Sequence, residues 1–142
     1  MQGFRELITR REYAQARELL QAAKLELPEG GAFGLGCFED ASLAGVGFLT
    51  GNVLCGICIR PSRQGAGLAA AIVGRLIQHA AAQGIHKLML FTSPEEMPKF
   101  QELGLKPVAQ SPRAALLEFG RPDCAAWLEH TRGAIEERKG GT

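Results

Sequence analysis

The sequence predicts an α/β (α+β) domain built on a mixed, mostly antiparallel sheet of about six or seven strands, with helices on both faces. Three observations carry this expectation. Residues 32–60 hold three short apolar runs, "AFGLGCF", "SLAGVGFL" and "NVLCGICIR", separated by turn residues, which is the pattern of an antiparallel meander. Residues 52–91 read strand, helix, strand, so the two strands can pair in parallel. Finally, "KPVAQ" and "RAALLEF" flank a Ser-Pro turn and read as two further strands.

Taken in chain order, "GFRELI" reads as a first short strand. Thr9 and Glu12 then form a capping box that opens a helix through "RREYAQARELLQAAKL". Its apolar residues Tyr13, Ala16, Leu19, Leu20 and Ala23 share one face, and "PEGG" ends it. Inside the meander lie Gly34, Gly36, Gly45, Gly47 and Gly56, which point to a bend, a bulge, close approach of another group, or crowding under a helix. The next helix, "LAAAIVGRLIQHAAAQG", places Leu68, Ile72, Leu76 and Ala80 four apart, with Gly84 at its C-terminal cap. "IHKLMLF" is apolar enough for a central strand covered on both faces. "EEMPKFQEL" gives a short helix ending at Gly104, and an amphipathic stretch over about 122–138 begins at Pro122 and leads to a frayed tail at 139–142. Trp127 is the natural anchor of that last helix to the sheet. No repeat or linker divides the chain, so residues 1–142 read as one domain.

Sixteen basic against fifteen acidic residues leave a formal net charge of +1, which offers no electrostatic case for nucleic acid or a membrane surface. No signal-peptide pattern or run of ~20 apolar residues is visible, so the expected location is cytoplasmic. Cys37, Cys55, Cys58 and Cys124 then read as reduced thiols. Cys55 and Cys58 make a C-x-x-C, but on a strand an i, i+3 pair points to opposite faces, which suits neither a redox motif nor a zinc site. No metal is expected.

The informative stretch is "RPSRQGAGLA", residues 60–69, where Gly65 and Gly67 stand at the mouth of a long helix. Glycine belongs at the other end of a helix, so the pair either makes a plain tight turn or admits an anion to the backbone amides. "GAGLAA" lacks the third glycine of the dinucleotide fingerprint and follows a meander strand, and no Lys-Ser or Lys-Thr completes a P-loop.

"ICIRPSRQGAGLA" resembles the cofactor motif Q/R-x-x-G-x-G/A of the GNAT N-acetyltransferase superfamily, with Gln64, Gly67 and Ala69 at its defined positions. The resemblance implies the GNAT fold, with a splayed pair made by its fourth and fifth strands, and it implies acetyl-CoA or another acyl-CoA as cofactor. The cradle for the pyrophosphate would be Gln64, Gly65, Ala66, Gly67, Leu68 and Ala69, and the pantetheine edge would be Ile57, Cys58 and Ile59. Ser93 and Phe100 would stand beside the same cofactor. "GNVLCGI", "QGAGLA", "LMLFTSP", "KFQELGL" and "ALLEF" are further similar to the N-terminal GNAT-like domain of the citrate lyase ligases, over roughly residues 30–130. Those enzymes adenylylate through a following nucleotidyltransferase domain with an H-x-G-H type motif, which His79, His86 and His130 do not form, so ligase activity is not carried over.

Amide acyl transfer needs a bound thioester, a polarised carbonyl and a deprotonated amine. A strand amide near Ile57 to Ile59 would polarise the carbonyl. The strand "NVLCGICI" carries no carboxylate or histidine, and Phe100 stands where GNAT enzymes often use a tyrosine acid. The remaining catalytic candidates are Glu118, as a buried base or a solvated edge-strand residue, and Ser93, as a proton donor to the leaving thiolate or a helix cap. Arg60, Arg63 and Lys99 offer charge for phosphates, or are solvated; Glu39 and Asp40 read as turn formers. His79 reads as solvated, and His86 as lying at a strand edge. Two function classes follow: an acetyl-CoA-dependent N-acyltransferase acting on a small-molecule or peptide amine, or a non-catalytic acyl-CoA-binding or partner module. A homodimer is the form that the resemblance suggests.

Overall fold

The computed structural model describes residues 2–28 and 30–120; the expected C-terminal helix over 122–138 and the tail at 139–142 lie outside them. Among these residues seven strands run in chain order: β1 (Gln2–Glu6), β2 (Phe33–Glu39), β3 (Ser42–Thr50), β4 (Val53–Ile59), β5 (Lys87–Thr92), β6 (Lys106–Gln110) and β7 (Ala115–Gly120). Among the described residues the helices are α1 (Arg10–Ala22), α2 (Leu68–Ala82) and α3 (Met97–Glu102). The strands form one sheet in the order β1-β2-β3-β4-β5-β7-β6. Every neighbouring pair is antiparallel except β4 and β5, which run parallel around α2.

The expected capping box opens α1. Glu12 N donates to Thr9 Oγ1 at 3.1 Å, and Glu12 Oε1 accepts from Ile8 N at 2.8 Å and Thr9 N at 3.1 Å. Arg5 completes the cluster, and its hydrogen bond to Glu12, with the two backbone donors, holds that carboxyl down at about 2. The helix stops at Ala22, earlier than the "PEGG" turn, because Lys24 adopts φ 60 and Leu25 N closes back onto Leu20 O at 2.8 Å. At the far end of α2, Gly84 provides the expected cap, with φ 82 and Ile85 N bonded to Ala80 O at 2.9 Å.

Two apolar clusters hold the layers. α2 buries Leu68, Ile72, Val73, Leu76 and Ala80 against Leu54, Ile59, Leu88, Leu90 and Leu117, joined by Phe100 of α3. α1 buries Ala16 and Leu20 on the other face, against Phe38, Val46, Phe48 and Cys58. Helices thus lie on both faces, and β2 and β3, caught between α1 and α2, are buried along almost their whole length. The meander glycines here make room rather than flexibility: a Cβ on Gly47 would stand 2.6 Å from Ile72 Cγ2, and one on Gly45 would stand 2.7 Å from Ile59 Cδ1.

Four expectations need correction. β5 is central, but its face on the α1 side is open: Lys87 and Phe91 are exposed, since no described helix reaches that far across the sheet. Glu118 is not on an edge, because β7 lies between β5 and β6. His79 is half-buried rather than solvated, stacked on Phe33 at 3.6 Å between ring centroids and bonded to Gln83. Cys55 and Cys58 pack into the same cluster below α1, not on opposite faces. The cause is a bulge: two steps on β3, from Val46 to Phe48, match three on β4, from Cys58 to Cys55, and Gly56 takes φ 59 there. One extra residue reverses the alternation.

Candidate functional site

The same bulge shapes a cleft. β4 and β5 share only the pairs Val53↔Met89 and Leu54↔Leu90, beside a bond from Met89 N to Asn52 O at 2.9 Å. Beyond Leu54 the strands separate, whereas β5 keeps six consecutive partners on β7. The opening is a cavity of about 540 Å3, within the usual size for a small-molecule site. Gly56–Ile59 of β4 form one wall, Leu90–Ser93 form the other, and the C-terminal turn of α1 adds Leu19, Ala22, Ala23, Lys24 and Leu25.

The glycine loop lies at one end of this opening. After β4, residues Pro61–Arg63 make a short 3-10 turn, Gln64 follows, and α2 starts at Leu68. Gly65 and Gly67 take φ 85 and 79, conformations that side-chain-bearing residues rarely adopt, and an added Cβ at either would point into open space. Gly67 is the N-cap residue of α2 and supplies no side-chain acceptor, so the first amides of a 15-residue helix are left for another partner. The loop is braced from below by Gln64 Nε2, which donates to Ile59 O at 3.3 Å. No atom outside their chain neighbours lies within 4 Å of a Cβ built on Gly65 or Gly67, which leaves room for an anion such as a diphosphate to approach the loop's amides.

The sequence-predicted residues fall as follows. Ile57, Cys58, Ile59, Gln64, Ala69, Ser93 and Phe100 line the cavity. Gly65, Ala66 and Gly67 are exposed on the loop, and Leu68 is buried beneath it as the first residue of α2. Cys58 Sγ donates to Leu19 O at 3.5 Å, and burial pushes its thiol up, so it is no thiolate nucleophile. Glu118 does not line the cavity; its carboxylate pairs with Lys87 Nζ at 3.4 Å. Of the three basic candidates, Arg63 is held by Glu39 at 2.6 Å, Arg60 donates to Ser42 Oγ at 2.9 Å, and Lys99 is paired with Glu96 at 2.9 Å inside the cavity wall. Phe91, Glu96 and the α1 residues escaped the sequence reading, because nothing local in "LQAAKL" says which strand its end will meet.

No described helix is long and apolar enough to cross a membrane. Among the described residues no group of three or more His, Cys, Asp or Glu is placed to hold a metal ion.

The comparisons agree with this geometry. The family model "Acetyltransferase (GNAT) domain" matches residues 5–119. A citrate (pro-3S)-lyase ligase of Klebsiella pneumoniae is 41% identical over 80 residues, which is 56% of this chain and 23% of that protein. The match thus spans about a quarter of the ligase. Among solved structures, an aminoglycoside 6'-N-acetyltransferase complexed with coenzyme A superposes with a TM-score of 0.75 at 12% identity, over 83% of this chain and 96% of that one. An N-acyl amino acid synthase from uncultured soil microbes gives 0.71 at 12% identity, over 89% and 94%. The N-acetylglutamate synthase of Neisseria gonorrhoeae, solved with coenzyme A and N-acetyl-glutamate, gives 0.70 at 14% identity, over 84% and 35%. A parallel strand pair that parts over an uncapped glycine loop, in a seven-stranded mixed sheet matched by the family model from residue 5 to 119, places this chain in the GNAT acetyltransferase family.

Proposed function

We propose that the chain binds acetyl-CoA, or another acyl-CoA, between β4 and β5, and transfers the acyl group directly to a small-molecule or peptide amine. The observation that carries this reading is the combination of a two-pair β4–β5 contact with an open, uncapped glycine loop at the same cleft. The cofactor supplies the activated thioester. The chain's part is to hold and orient it: the loop Gln64–Ala69 offers amides to the diphosphate, and the backbone of Ile57–Ile59 pairs with the extended pantetheine arm. A β4 amide beside the Gly56 bulge then faces the thioester carbonyl and favours the charge that develops on its oxygen. The amine nitrogen forms the new bond to carbon as the carbon–sulfur bond breaks, and Ser93, in the opposite wall, donates a proton to the departing sulfur. The proton of the amine leaves to water or to Glu96, the one carboxylate among the described lining residues. The reading expects a cytoplasmic protein, with a homodimer as the assembly to test.

A second reading, a binding module without turnover related to the accessory domain of citrate lyase ligase, is favoured by one observation: β4 carries neither carboxylate nor histidine. A thiol-release assay with acetyl-CoA and a panel of amines, polyamines, aminoglycosides and peptide N-termini separates the two. Acceptor-dependent release supports the enzyme. Saturable acetyl-CoA binding with no release from any acceptor supports the module.

A further inference from the structure

The charges that line the cleft do not cancel. Among the described residues they are Lys24, Glu96 and Lys99, so two lysines against one glutamate leave one positive charge over. Glu96 and Lys99 are paired at 2.9 Å. Burial raises the Cys58 thiol, and the charges of Lys99 and Glu96 then act on it in opposite senses, so this pair faces β4 across the opening. Lys24 is different. Among the described residues no carboxylate pairs with it, whereas the neighbouring cations are engaged, Arg63 by Glu39 and Arg60 by Ser42. The surplus charge therefore sits at the α1 end of the cleft.

The backbone fixes where that charge starts. Lys24 takes φ 60, its N donates to Gln21 O at 3.0 Å, and Leu25 N closes onto Leu20 O at 2.8 Å. The lysine stem thus leaves a hydrogen-bonded turn rather than a loose loop. The same turn leaves Leu25 41% exposed on the cavity wall, and Phe91 is 64% exposed on the β5 wall. A cation without a partner, beside two bare apolar side chains, suits a ligand with an anionic group and an apolar body.

We infer that Lys24 selects the acyl acceptor: it binds the carboxylate of an amino acid with an apolar side chain and so turns the amine toward the thioester. The inference rests on the acyl-transfer reading and adds to it the class of acceptor. The carboxylate itself is unchanged in the reaction, since the new bond forms at the amine nitrogen and the carbon–sulfur bond breaks. Discrimination works in both directions. A polyamine brings a second cation against Lys24, and an amide in place of the carboxylate leaves the lysine without an anion.

Lys24→Asn tests the assignment, because it removes the charge while asparagine adopts positive φ more readily than most residues. Thiol release from acetyl-CoA is measured with leucine, methionine and phenylalanine, and with the amide of each. For every acceptor the wild-type to variant ratio of kcat/KM cancels the intrinsic basicity of the amine. That ratio should be about tenfold larger for the amino acids than for their amides, as for a hydrogen bond between charged groups. Lys24→Arg, which keeps the charge, should restore most of the difference. Equal ratios for acids and amides overturn the inference and leave acyl transfer standing, as does release with polyamines but with none of the three amino acids. Release with no acceptor at all removes the acyl-transfer reading instead. Titration of phenylalanine into the protein with coenzyme A then decides the inference separately: a saturable heat that Lys24→Asn abolishes supports it, and no heat, or one that the variant keeps, overturns it.

Discussion

Gly47 couples the core to the glycine loop, and replacing it by alanine tests that coupling. The added Cβ would stand 2.6 Å from Ile72 Cγ2 and 3.1 Å from Leu76 Cδ1, against the ~3.5–4.0 Å at which carbon atoms rest. Ile72 is fully buried, and its Cγ2 branches from Cβ, where a helical isoleucine has essentially one rotamer, so the methyl cannot swing away. Relief has to come from movement of α2. Overpacking of this kind costs about 1–3 kcal/mol. At roughly 2–4 °C per kcal/mol for a chain near this size, Tm should fall by about 2–12 °C in a calorimetric scan. Ile72→Ala removes the opposing methyl at its own cost of about 2–5 kcal/mol. In that background Gly47→Ala should add less than ~0.5 kcal/mol, giving a coupling of at least ~0.5 kcal/mol in the double-mutant cycle. Ile72 lies one turn from Leu68, so the displaced helix also carries the loop with it, and acetyl-CoA affinity should fall in Gly47→Ala alone. Additive costs, or an unchanged Tm for Gly47→Ala, would refute the reasoning.

Three further outcomes follow from particular contacts. Thr9→Ala removes the acceptor for Glu12 N and should cost about 0.5–2 kcal/mol in denaturant unfolding. Because Glu12 is held at about 2 in the folded chain against 4.5 for the free group, it favours folding above pH 4.5. That contribution should disappear as pH falls from 4.5 through 2, so the stability gap between wild type and Glu12→Gln should close over that window. For Cys58, burial pushes the thiol up and leaves little thiolate near neutrality, so iodoacetamide should modify it slowly at pH 7, faster at high pH, and more slowly still with acetyl-CoA bound. Modification at pH 7 as fast as that of an unburied cysteine would contradict this placement.

Much of the fold is legible in local chemistry. Thr9 and Glu12 mark where α1 begins, the turn residues around 40 and 51 mark the meander, and the strand–helix–strand order forces β4 and β5 to run parallel. "QGAGLA" likewise carries its own geometry, since two glycines before an uncapped helix leave few alternatives. What was hidden depends on partners far away in sequence. Gly56 looks like the other strand glycines, and only its pairing with β3 makes it the bulge that turns Cys55 and Cys58 to one side. The α1 end enters the cleft because Leu20 docks below Phe48, which no pattern within the helix encodes. His79 is stacked because Phe33 comes to it from β2, 46 positions earlier in the chain. The apolar neighbours of Glu118 leave a buried base and a solvated residue both open, and only strand alternation turns it away from Leu117 and toward Lys87.

The proposed function requires main-chain amides at the start of α2 to hold a diphosphate, and isothermal titration with acetyl-CoA tests this most directly. Wild-type protein should give a saturable heat with one site per chain. Gly67→Trp, which puts an indole into the open space at φ 79, should lose that heat while keeping its sheet spectrum by circular dichroism. A wild-type protein that gives no heat, or a Gly67→Trp variant that binds as tightly, would contradict the claim.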